Sequence, residues 1–282
     1  MPVPTPETAR LAELYRLALL HQRRRGPAGE LLGSGTGSSL EFQDRRSYAP
    51  GDDVRHLDWR ALARTDTLYV RQYREEILPR VDLLIDGSGS MAVEDEKAQL
   101  TVDLAELLAG AAVAGGFQVA VVVLGDRPDR LEADRLRAAG IAFEARSPLT
   151  ASLREAGALL RPGSLRVLVS DFLSPHAPQD LVRGLARSSG GLGLLQVLGR
   201  ADLEPPQDAA LRLTDAESGE ALDLMLDGRA RTRYLERLEK LVAGLRSECL
   251  RAGASFVQLD AGVPLAEHCR GILSRERVLA PA

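Results

Sequence analysis

A chain of 282 residues that is 45% hydrophobic can bury a full core, enough for one large α/β domain with an appended module. The formal net charge of −4 gives no broad attraction to nucleic acid or to anionic membrane surfaces, so neither is expected as a partner. Cys249 and Cys269 imply no disulfide framework, and Met1 to Arg10 lacks a basic stretch followed by an apolar one, so a cytoplasmic protein is expected.

In chain order, Pro6 to Arg24 places Leu11, Leu14, Tyr15, Ala18 and Leu19 at spacings of three and four, which predicts a helix running into Arg23-Arg24-Arg25. Gly33 to Ser39 is a Gly/Ser segment that reads as a linker or a ligand-adapting loop. Leu68 to Glu75 alternates and predicts a strand. From Val81 onward short apolar strands alternate with longer amphipathic helices, the pattern of parallel βαβ units. The strands are expected at Val81 to Ile85, Phe117 to Leu124, Leu165 to Ser170, Leu192 to Leu198 and Ser255 to Leu259, with Ile141 to Ala145 a weaker edge strand. Helices are expected over Glu96 to Ala114, Ala151 to Leu160, Pro178 to Arg187, Arg229 to Arg251 and Pro264 to Ser274. Leu107 to Leu124 nears the ~20 apolar residues of a membrane helix, but Gly115-Gly116 and Gln118 divide it, so no membrane segment is expected. Ala210 to Leu226 alternates about Asp215 to Gly219 and predicts a hairpin, which could share a small antiparallel sheet with Leu68 to Glu75.

The strand at Leu83-Leu84-Ile85 runs directly into Asp86-Gly87-Ser88-Gly89-Ser90. That places a carboxylate and two hydroxyls at the carboxyl edge of a parallel sheet, where open α/β folds bind ligands. A hard cation takes such oxygen donors and fills its remaining positions with water, and the glycines permit a tight turn. A competing role for Asp86 and Ser88 is to cap the helix that follows. The Asp-x-Ser-x-Ser pattern resembles the metal-ion-dependent adhesion site of von Willebrand factor A domains. The resemblance implies a doubly wound, mostly parallel sheet flanked by helices, with a metal site completed by Thr150 and Asp171 from later loops. Leu149 stands where that family has Gly before the Thr, and Phe172 where a Gly often follows the Asp. The implied cofactor is a divalent cation, Mg²⁺ first with Mn²⁺ or Ca²⁺ as alternatives. The implied partner is a protein presenting an Asp or Glu to the metal.

Upstream, Glu41 to Arg80 holds eight acids and eight arginines, together with Trp59, the chain's one Trp. A phosphate groove would show an excess of positive charge, whereas a balanced set suits guanidinium–carboxylate pairing. An ion-pair network of Arg45, Arg46, Asp52, Asp53, Arg55, Asp58 and Arg64 is therefore expected, with a turn at Pro50-Gly51-Asp52 and Trp59 as an apolar anchor. A solvated charged loop is the alternative. The run Tyr48-x-Pro50-Gly51-Asp52-Asp53-x-Arg55-x-x-Asp58-Trp59, then Ala63-Arg64-Thr65, ahead of an A-type domain, resembles the bacterial domain-of-unknown-function family fifty-eight. That resemblance covers the chain from about Gly33 to its last helix. It implies action beside a MoxR-type AAA+ ATPase in assembling or remodelling other proteins.

The domain division expected is 1–80 for the N-terminal helix, Gly/Ser loop and Arg-rich segment, and 81–200 for the von Willebrand factor A-like core. A hairpin insertion at 201–228 is expected to pack with the N-terminal segment, and 229–282 to complete the core. Ser88, Asp171 and His268 follow the chain order of a serine hydrolase, but Asp86 and Ser90 stand where a Gly-x-Ser-x-Gly elbow needs glycines. The lysines are Lys97 and Lys240 alone, neither within a phosphate-binding Gly-x-x-x-x-Gly-Lys motif, so any ATPase is a partner. Cys249, Cys269 and His268 are too few and wrongly spaced for structural zinc. The expectation is a non-enzymatic interaction module, with a serine hydrolase or a metal-independent scaffold as the alternatives.

Overall fold

The computed structural model describes residues 1–19, 40–49, 52, 57–65, 67–75, 79–206, 209–214 and 221–282, with backbone only at 40–46, 71–75, 133, 209–214 and 221–226. Two units are separable, Leu32–Leu78 and the remainder, Met1–Leu31 with Pro79–Ala282.

In the larger unit the chain opens with α1 (Pro6–Leu14). The helix stops ten residues short of the expected end, because Tyr15 turns to extended backbone (φ −130°, ψ 151°). Tyr15–Leu17 (β1) then pairs antiparallel with the last strand of the chain. Pairing with a distant segment overrides local helical spacing here, and the basic run Arg23-Arg24-Arg25 lies outside the described residues. The N-terminal helix, grouped by sequence with the Arg-rich segment, thus belongs to the core unit. Asp103 fixes it there, accepting from Thr5 N at 2.7 Å and from Thr8 Oγ1 at 2.8 Å.

In the smaller unit, β2 (Leu40–Ser47) pairs antiparallel with β3 (Tyr69–Glu75), across α2 (Trp59–Thr65). Asp58 caps α2, its Oδ1 accepting from Arg60 N and Ala61 N, each at 3.1 Å.

Next in the core come β4 (Arg80–Asp86), α3 (Asp95–Ala114), β5 (Gln118–Leu124), β6 (Asp129–Leu131), α4 (Ala133–Ala139) and α5 (Leu149–Ala156). They are followed by β7 (Leu165–Ser170), α6 (Pro178–Ala186), β8 (Gly191–Leu198) and α7 (Arg200–Leu203). The hairpin β9 (Ala209–Thr214) and β10 (Ala221–Leu226) leads into α8 (Gly228–Ala252), β11 (Ser255–Asp260), α9 (Leu265–His268) and β12 (Leu279–Pro281). Among the described residues the hairpin is a two-stranded sheet of its own, as is β2 with β3. Alternation marks a strand without naming its partner.

The central sheet has the order β11-β8-β7-β4-β5-β6, parallel except for the antiparallel edge strand β6. Sequence reasoning put that edge at Ile141 to Ala145. Those residues instead bury Ile141 and Phe143 in the core, and Ala145 forms an isolated bridge to Ser88. The true edge, Asp129–Leu131, is short and charged, a composition that protects an edge and carries no strand signal.

Period two divides the core. Val81, Leu83 and Ile85 of β4, with Val167 and Val169 of β7, face a cluster built on α3 and Ala12. Leu84, Leu168 and Leu194 face a second cluster with Leu181, Val182, Leu245 and Cys249. Both faces are covered, as a parallel sheet requires. Among the described residues no helix is long and apolar enough to cross a membrane.

Candidate functional site

The strand order reverses its direction of growth at β4, whose neighbours β5 and β7 lie on opposite sides. A crevice outside the carboxyl ends of β4 and β7 is the position where such sheets bind ligands. Asp86 ends β4 and Asp171 follows β7, so topology alone brings the two carboxylates to this point.

The loop after β4 is shaped by backbone contacts. Gly87 N donates to Leu124 O at 2.9 Å, and Ala145 N donates to Gly87 O at 3.0 Å. A Cβ at Gly87 would lie 2.5 Å from the Leu124 carbonyl oxygen, so only glycine fits. Asp86 Oδ1 accepts from Ser88 N at 3.0 Å, and Oδ2 accepts from Ser170 Oγ at 2.5 Å. Burial, then the negative charge of Asp171, raises the Asp86 pKa above the ordinary carboxylate value, against the hydrogen bonds from Ser170 and Ser88. Ser88 Oγ and Ser90 Oγ stand 3.0 Å apart. Ser90 opens the turn Gly89–Ala92 beside Gly89, and neither Asp86 nor Ser88 caps α3, which has no side-chain cap.

Asp171 is 1% exposed. Its Oδ1 accepts from Leu173 N at 2.9 Å, and its Oδ2 accepts from Lys97 Nζ at 2.9 Å. Lys97 Nζ also donates to Asp202 Oδ2 at 2.9 Å. Burial alone would pull the Lys97 pKa down, but the charges of Asp171 and then Asp202 outweigh it and raise it. Gln196 Nε2 donates to the Asp171 carbonyl at 2.8 Å, while its buried Oε1 has no partner among the described residues. Phe172, at the position where Gly was expected, holds φ 58° with its side chain fully buried. The left-handed backbone that favours glycine is thus kept, at the cost of strain that packing offsets. On α8, burial and then the charges of Asp202 and Asp171 push the Tyr234 phenol upward.

Of the expected metal set, Asp86, Ser88 and Ser90 are joined by hydrogen bonds, and Asp171 is electrostatically coupled to Asp86. Thr150, second residue of α5, is half-buried and makes no hydrogen bond to the other four among the described residues. Sequence reasoning missed Lys97, Ser170 and Asp202. A signal existed for Lys97: a lysine in the first turn of a helix opposes the macrodipole and needs a reason.

The donor set fits a hard divalent cation. Ligands on neighbouring corners of an octahedron with metal–oxygen distances of about 2.1 Å lie about 3.0 Å apart, the separation of the two hydroxyls. Asp171 and Asp202 share the ammonium of Lys97, and Asp86 feels the charge of Asp171, so with all three carboxylates ionised the described residues leave a formal excess of two negative charges. Buried charge in such excess is costly unless a countercharge is present.

Trp59 is 62% exposed among the described residues. Asp58 is the α2 cap described above, and Arg64 Nε donates to Arg60 O at 3.2 Å. Asp52 closes a turn, its N donating to Ala49 O at 3.0 Å and its Oδ2 accepting from Ala49 N at 2.9 Å. Asp53 and Arg55, the side chains of Arg45 and Arg46, and Gly33 to Ser39 lie outside the described residues. His268 is buried, with Nε2 at 2.9 Å from the Asp260 carbonyl, and no hydrogen bond joins it to Ser88 or Asp171 among the described residues. Cys249 and Cys269 are free and buried, their thiols pushed up to about 12 and about 11, mainly by burial.

The fold and site define an α/β protein with a mostly parallel six-stranded sheet and an acidic, hydroxyl-bearing crevice at its switch point. The chain belongs to the family described as protein of unknown function DUF58, whose model matches residues 44–241. It is 29% identical over 266 residues to uncharacterised proteins of Mycobacterium bovis and Mycobacterium tuberculosis, covering 88% of this chain and 84% of each relative. Among solved structures, an aerotolerance-related membrane protein from Bacteroides fragilis matches with a TM-score of 0.42 and 10% identity, over 71% of this chain and 98% of that one. The conserved hypothetical protein BatB from Bacteroides thetaiotaomicron matches with a TM-score of 0.41 and 12% identity, over 70% and 96%.

Proposed function

We propose that this chain is a non-enzymatic protein-interaction module of the von Willebrand factor A type, whose crevice holds a divalent cation, Mg²⁺ before Mn²⁺ or Ca²⁺. The observation that carries the reading is the pair of serine hydroxyls 3.0 Å apart beside the buried Asp86 carboxylate, in a cluster two negative charges in excess. Asp86, Ser88 and Ser90 would hold the cation, with Thr150 and Asp171 nearby as the family pattern implies. Bound there, the cation supplies a positive centre that an acidic side chain of another protein can complete. The chain's own residues do the positioning. Ser88 N and Ser170 Oγ orient the Asp86 carboxylate, and the Leu124 carbonyl fixes the loop at Gly87. The partner class implied by the family resemblance is a MoxR-type AAA+ ATPase, or the protein that such an ATPase remodels.

A metal-independent scaffold is the second reading, favoured by Lys97, which already supplies a cation to Asp171. Calorimetric titration with Mg²⁺ and Mn²⁺ separates the two, and native protein is expected to bind where Asp86→Ala does not. Affinity capture from the native organism, with and without chelator, should then recover an acidic partner only when divalent cation is present. Equal recovery in both would refute metal-dependent recruitment.

A further inference from the structure

Lys97 is the one member of the crevice that cannot be a metal ligand, because an ammonium donates hydrogen bonds and accepts none. It is also fixed in place. Its side chain is 2% exposed, and Nζ bridges Asp171 on the loop after β7 and Asp202 on α7. That second anchor is itself tied down. Asp202 Oδ2 accepts from Gly199 N at 2.9 Å, and the carboxylate of Glu94, just before α3, accepts from Arg200 N at 3.0 Å and Ala201 N at 2.9 Å. A Cβ at Gly199 would come within 2.2 Å of Glu94 Oε1, so a side chain there would displace the carboxylate that ties α7 to the loop. The ammonium is therefore held at Asp171 by a second carboxylate that is itself anchored.

Charge then decides what the crevice can take. Asp86, Asp171 and Asp202 against Lys97 leave two negative charges, which one divalent cation would cancel. Without Lys97 three would remain, and the cation would be over-satisfied by the chain's own carboxylates. Affinity at oxygen sites rises with the number of charged ligands.

We propose that Lys97 is the positioning residue that sets the affinity and selectivity of this crevice: it withholds Asp171 from direct ligation, so that the cation keeps waters and leaves a place for an external carboxylate. The inference rests on the cation-binding reading above. It implies a weak, readily exchanging site that prefers an acidic peptide or protein as its last ligand, and whose preference would reverse if the lysine charge were lost.

The test is titration of Mn²⁺ alone into the full chain, reading both affinity and the water-proton relaxation enhancement of the bound ion. Lys97→Met is expected to bind Mn²⁺ about tenfold more tightly, with a lower enhancement because Asp171 displaces water. Asp202→Asn removes one negative charge without touching Asp171, and is expected to weaken Mn²⁺ binding about threefold to tenfold. If Lys97→Met does not fold, Lys97→Gln, which also removes the charge but can still donate to Asp171, is measured in the same way. Native binding with affinity and enhancement unchanged in the folded variants would overturn the role of Lys97 and leave the cation site standing. No binding by the native chain would overturn both.

Discussion

The two ends of β4 and β7 carry the same kinds of residue and use them oppositely. At the amino end, Asp82 is fully buried, with Oδ1 accepting from Arg80 Nε at 2.8 Å and Oδ2 from Arg161 N at 3.0 Å and Ser164 Oγ at 2.6 Å. The buried Arg166 guanidinium completes the group, donating to the Leu185 and Arg187 carbonyls at 2.8 and 3.0 Å. Burial lowers the Arg166 pKa and the Asp82 charge opposes that shift. Here cations outnumber carboxylates, and Arg80 Nη2 and Arg166 Nε are left without partners among the described residues. At the carboxyl end, four residues along β4, carboxylates outnumber cations. A buried charge is thus not in itself a sign of a site. Both oxygens of Asp82 are paired within the chain, while at the carboxyl end the described residues leave a formal excess of carboxylates.

Breaking the closed end should cost most. Asp82→Leu removes the hydrogen-bonded partner of half-buried Arg80 and the charge facing buried Arg166, and chemical denaturation should show a loss of about 3–5 kcal/mol, with no change in divalent-cation affinity. Gly87→Ala acts on the open end through shape alone. Its Cβ would meet the Leu124 carbonyl at 2.5 Å, and a loss of roughly 1–3 kcal/mol together with weakened Mg²⁺ binding is expected by denaturation and calorimetry.

Asp86→Asn sharpens the contrast because its sign should differ from that of Asp82→Leu. It removes a like charge from beside Asp171, so metal-free stability should rise on the order of 1 kcal/mol near neutral pH, while cation binding is lost. The pH dependence follows from the same residue. The folded pKa of Asp86 lies above its unfolded value, so its contribution to stability is full below the unfolded pKa and lost as pH rises through the raised one. Cation affinity should run the other way, falling on the order of tenfold per pH unit as the carboxylate protonates below that pKa. Melting and titration between acid and neutral pH check both slopes, and Asp86→Asn should flatten the first.

Much of the site was legible because it is local. Asp86, Ser88 and Ser90 lie within five residues, and Asp171 follows a strand whose apolar run is unbroken. The helix stop at Tyr15 and the edge strand at Asp129–Leu131 were not legible, since each depends on which distant segment supplies a partner. Tyr15–Leu17 extends because Leu279–Pro281 is there to pair with it.

By itself the sequence determined the alternation of strands and helices, the hydroxyl-bearing loop and its place at the carboxyl edge, because periodicity and tight turns are written in neighbouring residues. Only the tertiary structure decided the electrostatics. Lys97 and Asp202 are 105 positions apart, and Lys97 and Asp171 are 74 apart. Their meeting at 2.9 Å depends on α3, β7 and α7 converging at one sheet edge, and no spacing within any single segment encodes that convergence.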